Sequence, residues 1–173
     1  MNWFYKIQKE FVSKSLISET PKEQIPTVII TVGIPCSGKS TWVEKNKNNF
    51  FVISRDQIRA NMFGKKYKQN KQSENLVTRR FNNMLSYRME LQENIILDNT
   101  HCKEAYLKAA IQMFHNTKYV VIVKFFDISL HKAYVRNIRR WFKTRKWIPF
   151  KVIKNMYLNF NKINKTIYQQ YDN

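Results

Sequence analysis

The chain has 173 residues, 43% of them apolar or aromatic, which is enough to bury the core of one domain. Thirty-one Lys and Arg against twelve Asp and Glu give a formal net charge of +19, a field that attracts polyanions. The longest apolar runs, Val28–Ile34 and Tyr119–Phe126, are too short to span a bilayer. Cys36 and Cys102 form neither a disulfide framework nor a metal-ligand spacing.

Residues 1–25 read as a helical extension followed by a linker around Pro21–Pro26. Met1–Phe11 mixes Lys, Gln and Glu with aromatics and lacks the apolar core of a signal peptide, so a cytoplasmic protein is expected, in the host cytoplasm if viral. Residues 26–173 then form one domain. Its first strand is Thr27–Val32, β-branched almost throughout, as a buried parallel strand requires. A helix should start at Lys39–Ser40. Phe50–Ser54, Asn94–Leu97 and Tyr119–Phe126 are the second, third and fourth strands. Between them, Val77, Phe81, Met84 and Leu85 share one helical face, as do Leu107, Ala110, Ile111 and Phe114. Ser129 is placed to cap a basic helix that runs through Arg140. A last helix begins near Pro149, with Ile153, Met156, Phe160, Ile163 and Ile167 on its apolar stripe. Strands alternating with helices predict a three-layer α/β fold with a central parallel sheet of at least four strands. Ligands of such sheets bind at the carboxyl ends of the strands, where Gly33–Ser40, Arg55–Asp56, Asp98 and Asp127 all fall.

Gly33-Ile34-Pro35-Cys36-Ser37-Gly38-Lys39-Ser40 has the spacing of a phosphate-binding loop. Gly33 and Gly38 permit turns that aim backbone N–H groups at nucleotide phosphates. Lys39 adds a charge on the outer phosphates, and the Ser40 hydroxyl suits Mg²⁺. The helix that follows directs its positive end to the same place. The expected fold is therefore a three-layer P-loop NTPase with ATP or GTP and Mg²⁺ as its ligands and a helical lid over about residues 129–148; the loop by itself serves motors, switches and kinases alike.

Asp56 stands just beyond the second strand, with Arg59 one turn later. An oriented carboxylate there can take the proton from an acceptor hydroxyl, and the arginine can hold an anionic part of that acceptor. The plainer alternative is a helix cap with a surface ion pair. Asp98 ends Ile95-Ile96-Leu97-Asp98 as in a Walker B strand. Asn99 and Thr100 follow instead of a Glu, which weakens the case for a hydrolytic motor. Arg136 and Arg140 project from one face of the basic helix and can close over the nucleotide, or simply form a solvated basic face. His101, His115 and His131 form no spaced cluster and read as surface or loop residues.

No Asp or Glu lies between Asp127 and Asp172. That stretch holds Arg136, Arg139, Arg140, Lys143, Arg145, Lys146, Lys151 and Lys154 among Trp141, Phe142, Trp147 and Phe150. Cations neutralise phosphates and aromatic faces stack bases, so the pattern points to nucleic acid. The competing source is compositional drift toward Lys, Asn and Ile.

Taken in order, these pieces resemble the 5′-hydroxyl polynucleotide kinases, in particular the kinase domain of the T-even phage end-healing enzyme. The likeness runs from about Val28 to Tyr157. It covers the loop through Thr41-Trp42, Ile53-Ser54-Arg55-Asp56-Gln57-Ile58-Arg59, Ile96-Leu97-Asp98-Asn99-Thr100, Phe126-Asp127, Val135-Arg136-Asn137 to Arg140, and Ile148-Pro149 to Met156-Tyr157. The resemblance implies transfer of the ATP γ-phosphate to a 5′-OH end of RNA or DNA. It implies Asp56 as general base, Arg59 on the acceptor's 3′-phosphate and Lys39 and Ser40 on phosphate and Mg²⁺. It further implies Thr41 and Arg136 near the nucleotide, Arg140 as the catalytic lid arginine, and Asp98, Asn99 and Thr100 at the acceptor. The chain departs from the family in three places. It lacks the Asp-x-Asp of the accompanying phosphatase, so 3′-phosphate removal is not expected. Trp141–Trp147 lengthens the lid, which leaves Arg139 and Arg145 as alternatives to Arg140. Residues 1–25 have no counterpart. Two rival readings share the loop: a P-loop kinase acting on another hydroxyl (a modified base in DNA, a nucleoside or a sugar nucleotide, as in zeta-type toxins), and a nucleic-acid-binding adaptor whose nucleotide loop is inactive.

Overall fold

The computed structural model describes residues 25–64, 67 and 69–171. The helical extension and linker expected over residues 1–25 lie, but for Ile25, outside the described residues. Strand β1 (Thr27–Val32) feeds the glycine loop and helix α1 (Lys39–Asn46). Strand β2 (Phe51–Ile53) is followed by α2 (Arg55–Phe63) and the long α3 (Lys71–Glu90). Strand β3 (Ile95–Leu97), α4 (Glu104–Gln112), β4 (Val120–Phe125), α5 (Leu130–Thr144) and α6 (Phe150–Asn161) complete the order, before a 3₁₀ segment at Lys165–Tyr171. The four strands form one parallel sheet in the order β2-β3-β1-β4.

The sheet separates two apolar layers. On one face, Ile29 and Ile96 pack with Val43 of α1, flanked by Trp42, Val52 and Ile122. On the other, Val28, Ile30, Val32, Ile95, Leu97 and Val123 meet Val77, Phe81 and Leu85 of α3, Leu107 and Ala110 of α4, and Ile153 and Phe160 of α6. Each fully buried aliphatic side chain of this kind stabilises the fold by about 1.5–3 kcal/mol before entropy is counted. The three layers, the four strands and the two helical faces agree with the reading from periodicity.

Local chemistry sets the element ends. Asn70 and Ser73 cap α3 reciprocally: Asn70 Oδ1 accepts from Ser73 N at 2.8 Å, and Ser73 Oγ accepts from Asn70 N at 3.2 Å. Ser129 Oγ accepts from Lys132 N at the start of α5. That helix runs one turn beyond Arg140 and stops at Arg145, whose φ of +58° is left-handed. The expected final stripe is shorter than its periodicity suggests. Helix α6 ends at Asn161, Ile163 is buried beyond it, and Ile167 is exposed while Tyr168 enters the core.

Candidate active site

A cavity of about 820 Å³ opens at the carboxyl ends of the strands. Its floor is the loop from Pro35 to Thr41, and its walls include Asp56, Asp98, Asn99, Thr100, Arg136 and Arg140. Most residues singled out from sequence therefore share one space. Trp42, Lys45, Phe126 and Ile148 also line it and were not anticipated. Gly33 and Ile34 lie beneath the loop, where Ile34 is part of the core.

The loop shows why two of its positions must be glycine. Gly38 has a φ of +109°, which side-chain-bearing residues rarely adopt. A Cβ at Gly33 would stand 2.9 Å from Ser37 Oγ and 3.0 Å from the Phe126 backbone oxygen. Cys36, at φ +64°, supplies a further left-handed turn. Lys39 is buried, and its ammonium donates to the carbonyls of Gly33 at 2.6 Å and Ile34 at 2.9 Å. Burial pulls the Lys39 pKa below its ordinary value, opposed by Cys102, Asp98 and Asp56. Arg136 donates to the loop carbonyls of Cys36 and Ser37 at 3.3 and 3.2 Å, so the lid helix already touches the cradle. Concave backbone, glycines at obligatory positions and a lysine folded back onto the loop carbonyls fit a nucleoside triphosphate.

The tip of β3 joins both halves of the site. Gly33 N donates to Thr100 O at 2.9 Å, fixing the base of the loop. Arg55 N donates to Asn99 Oδ1 at 3.1 Å, so Asn99 caps the first turn of the helix that carries Asp56. Thr31 Oγ1, fully buried, donates to the carbonyls of Leu97 and Asn99. Burial raises the Asp98 carboxyl above its usual range, with Lys39 opposing and Asp56 adding to the rise. His101 lies in the loop after β3 and is half-buried: its Nδ1 lies 2.9 Å from Thr31 O, and burial lowers its pKa. Asp127 turns away from the cavity and pairs with Lys165.

Arg59 is held more tightly than sequence suggested. Its Nε and one terminal nitrogen donate to the Glu74 carboxylate at 2.8 and 2.9 Å, and its other terminal nitrogen donates to Asp56 Oδ1 at 2.6 Å. Arg55 donates to the same Glu74 at 3.1 Å, and the Tyr67 hydroxyl also donates to it. Arg59 above all, then Tyr67 and Arg55, bring the Glu74 pKa down to about 2. Arg59 itself does not line the cavity; Asp56, with its side chain 92% exposed, does. Glu74 carries no local motif and comes from the first turn of α3, fifteen residues from Arg59, so only the tertiary fold reveals it.

The basic helix is the opposite case. Arg140 lines the cavity, whereas Arg139 and Arg145 do not. Among the described residues, no carboxylate pairs with Arg136, Arg139, Arg140 or Lys143. These cations sit three or four residues apart, and each such like-charge pair costs about 0.2–0.5 kcal/mol. Asn137, fully buried at the centre of α5, donates to Ile148 O at 2.8 Å and accepts from Ile148 N at 3.4 Å. The amide thus pins the loop after α5 and sets Ile148 against the cavity.

A glycine cradle between a buried strand and a helix, with a lysine at its rim and a basic helix above, defines a P-loop nucleotide-binding protein. The family model AAA_33, described as an AAA domain, matches residues 28–163, and the chain belongs to that family. Among solved structures, one from the Pnkp1/Rnl/Hen1 RNA repair complex matches with a TM-score of 0.74 and 22% identity, over 86% of this chain and 48% of that one. This chain thus spans about half the length of that relative. A gluconokinase from Sinorhizobium meliloti 1021 matches at TM-score 0.55 and 14% identity, covering 84% and 81% of the two chains. A structure of the PezAT toxin-antitoxin system of Streptococcus pneumoniae matches at 0.61 and 16%, covering 92% and 72%. The fold is that of the P-loop kinases. No helix of the described residues is long and apolar enough to cross a membrane.

Proposed function

We propose that the chain is a polynucleotide 5′-hydroxyl kinase, transferring the γ-phosphate of ATP to a 5′-OH end of RNA or DNA. The observation that carries this reading is the shared cavity: Asp56, ion-paired to Arg59, opens onto the same space as the phosphate loop, Asp98 and Arg140. The loop N–H groups and Lys39 hold the triphosphate, with the Lys39 ammonium exchanging its contacts to Gly33 and Ile34 for phosphate oxygens. The metal implied for such a site is Mg²⁺, which keeps several waters and takes one or two protein ligands besides phosphate. Ser40 and Asp98 are the residues that would hold it, and there it would neutralise charge on the transferring phosphoryl group.

Asp56 takes the proton of the 5′-hydroxyl as its oxygen forms a bond to the γ-phosphorus. The bond from that phosphorus to the β,γ-bridging oxygen breaks, and ADP leaves. Arg59 orients Asp56 and offers positive charge to the acceptor's 3′-phosphate. Arg140 neutralises charge developing on the transferred group, with Arg136 bracing the loop. Asn99 and Thr100 hold the Asp56 helix and the loop at a fixed separation. The absence of acids across residues 128–171 supports a polyanionic acceptor over a small neutral one.

The test is transfer of labelled γ-phosphate to a short oligonucleotide ending in a 5′-OH, beside the same oligonucleotide already 5′-phosphorylated. Label on the first alone is expected. Label on both would place the phosphate on another hydroxyl, and label on neither would favour a small-molecule acceptor or a non-catalytic binder.

A further inference from the structure

The distal end of α5 and the loop returning from it carry aromatic side chains that the core does not use. Phe142 is 66% exposed and Trp147 45%, with Trp141 and Phe150 also exposed. The rings are organised. Trp141 and Phe142 lie 5.0 Å apart and Trp147 and Phe150 4.9 Å apart, both edge to face, and Phe150 continues to Tyr134 at 4.5 Å. Edge-to-face packing fixes a ring while leaving a face of the pair open. The Arg145 guanidinium stands 5.4 Å from the Trp141 centroid. These two ring groups, Trp141–Phe142 and Trp147–Phe150–Tyr134, flank the cavity in sequence: Arg140 precedes Trp141, Ile148 follows Trp147, and both flanking residues line the cavity.

We propose that these two ring groups together form a stacking platform for the single-stranded portion of the acceptor, a second nucleic-acid contact outside the catalytic cavity. It rests on the reading of the acceptor as a polynucleotide. Charge complementarity selects this occupant. The platform is bordered by Arg139, Lys143, Arg145, Lys146 and Lys151, with no acid between Asp127 and Asp172. Bases stack on exposed rings irrespective of sequence while flanking cations take the phosphates. An apolar protein partner would have no use for so many cations that lack an acid partner among the described residues, and the buried Asn137 clasp on Ile148 keeps the returning loop in place before any strand arrives.

The experiment compares two 5′-OH oligothymidylates with the full chain, one of two nucleotides and one of about ten, within the span such platforms cover. Phe142→Ala and Trp147→Ala should each raise KM for the longer acceptor about fivefold or more, leaving KM for the dinucleotide and kcat for both unchanged. Trp147→Phe should restore KM while diminishing the quenching of tryptophan emission that the longer strand causes without ATP. Equal effects on both acceptors, or no effect on either, would overturn the platform. So would self-association of the wild-type chain that the two alanine variants abolish, which would make the patch an interface between copies. If the wild-type chain binds the longer strand with quenching but phosphorylates neither, the kinase reading fails while the platform stands. If it phosphorylates both with no length dependence, the platform fails and the kinase reading stands.

Discussion

The arginines of α2 and those of α5 stand in opposite surroundings. Arg55 and Arg59 converge on one carboxylate, Glu74, and are fixed by several hydrogen bonds. Arg139, Arg140 and Lys143 have no acid among the described residues, and their mutual repulsion is left standing. Charge in the first region is spent on holding a shape. In the second it is kept available, which is what a surface that meets polyphosphate requires. Their consequences differ: variants of the acid-paired region should lower stability as well as turnover, and variants of the basic helix should act chiefly on function, with a small gain in stability as like charges are removed.

The largest expected effect is on Asp56, the base of the proposed transfer, whose exposed carboxylate also pairs with Arg59. Asp56→Asn should lower transfer by about 10²–10⁴, with ATP affinity unchanged in an equilibrium titration. Retained transfer would remove it as the base. Arg140→Ala should come next, lowering single-turnover transfer by on the order of 10³ with little change in strand affinity. A pure loss of affinity would shift the lid role to Arg139 or Arg145. Glu74→Gln sharpens the contrast in the other direction. It should cost about 2 kcal/mol in denaturant unfolding, because two arginines lose their charged acceptor. The Glu74 pKa is depressed from 4.5 to about 2 in the folded chain, so its contribution is full above pH 4.5 and lost as pH falls toward 2. The substituted chain should show a shallower loss of stability across that window. The smallest effect belongs to the basic helix: Lys143→Gln should stabilise the fold by about 0.3 kcal/mol while reducing the salt dependence of strand binding, whose log–log slope is about −0.7 per phosphate neutralised. Unchanged salt dependence would mean that this lysine meets no phosphate.

Much of this was legible in the sequence. The strands coincide with β-branched or aliphatic runs, most strictly in the central strands β1 and β3, which are almost wholly buried, while the edge strand β4 is only half-buried and admits Lys124. The loop was evident because its geometry admits glycine at Gly38 and little else. Partnerships across the fold were not legible. Glu74 reaches Arg59 only because α3 crosses α2, and Asn99 meets Arg55 only because β2 and β3 are neighbours. Periodicity also carried the last stripe past Asn161, since an apolar repeat does not reveal where backbone hydrogen bonding stops. Asp127 follows its strand as an acid of the site would, yet a one-residue alternation points Phe126 to the cavity instead.

The hydrogen bonds at the tip of β3 carry a consequence for how such a site can change. Gly33 and Arg55 are both tied to adjacent residues of one short strand end, so donor and acceptor halves share a single point of alignment. An insertion in the long connection between α2 and β3 leaves that alignment intact. A one-residue slip of β3 would move both halves together. In the proposed kinase, changes in the connections and on the basic helix would alter the surface offered to an acceptor while the spacing between the loop and Asp56 stays set by the tip of β3.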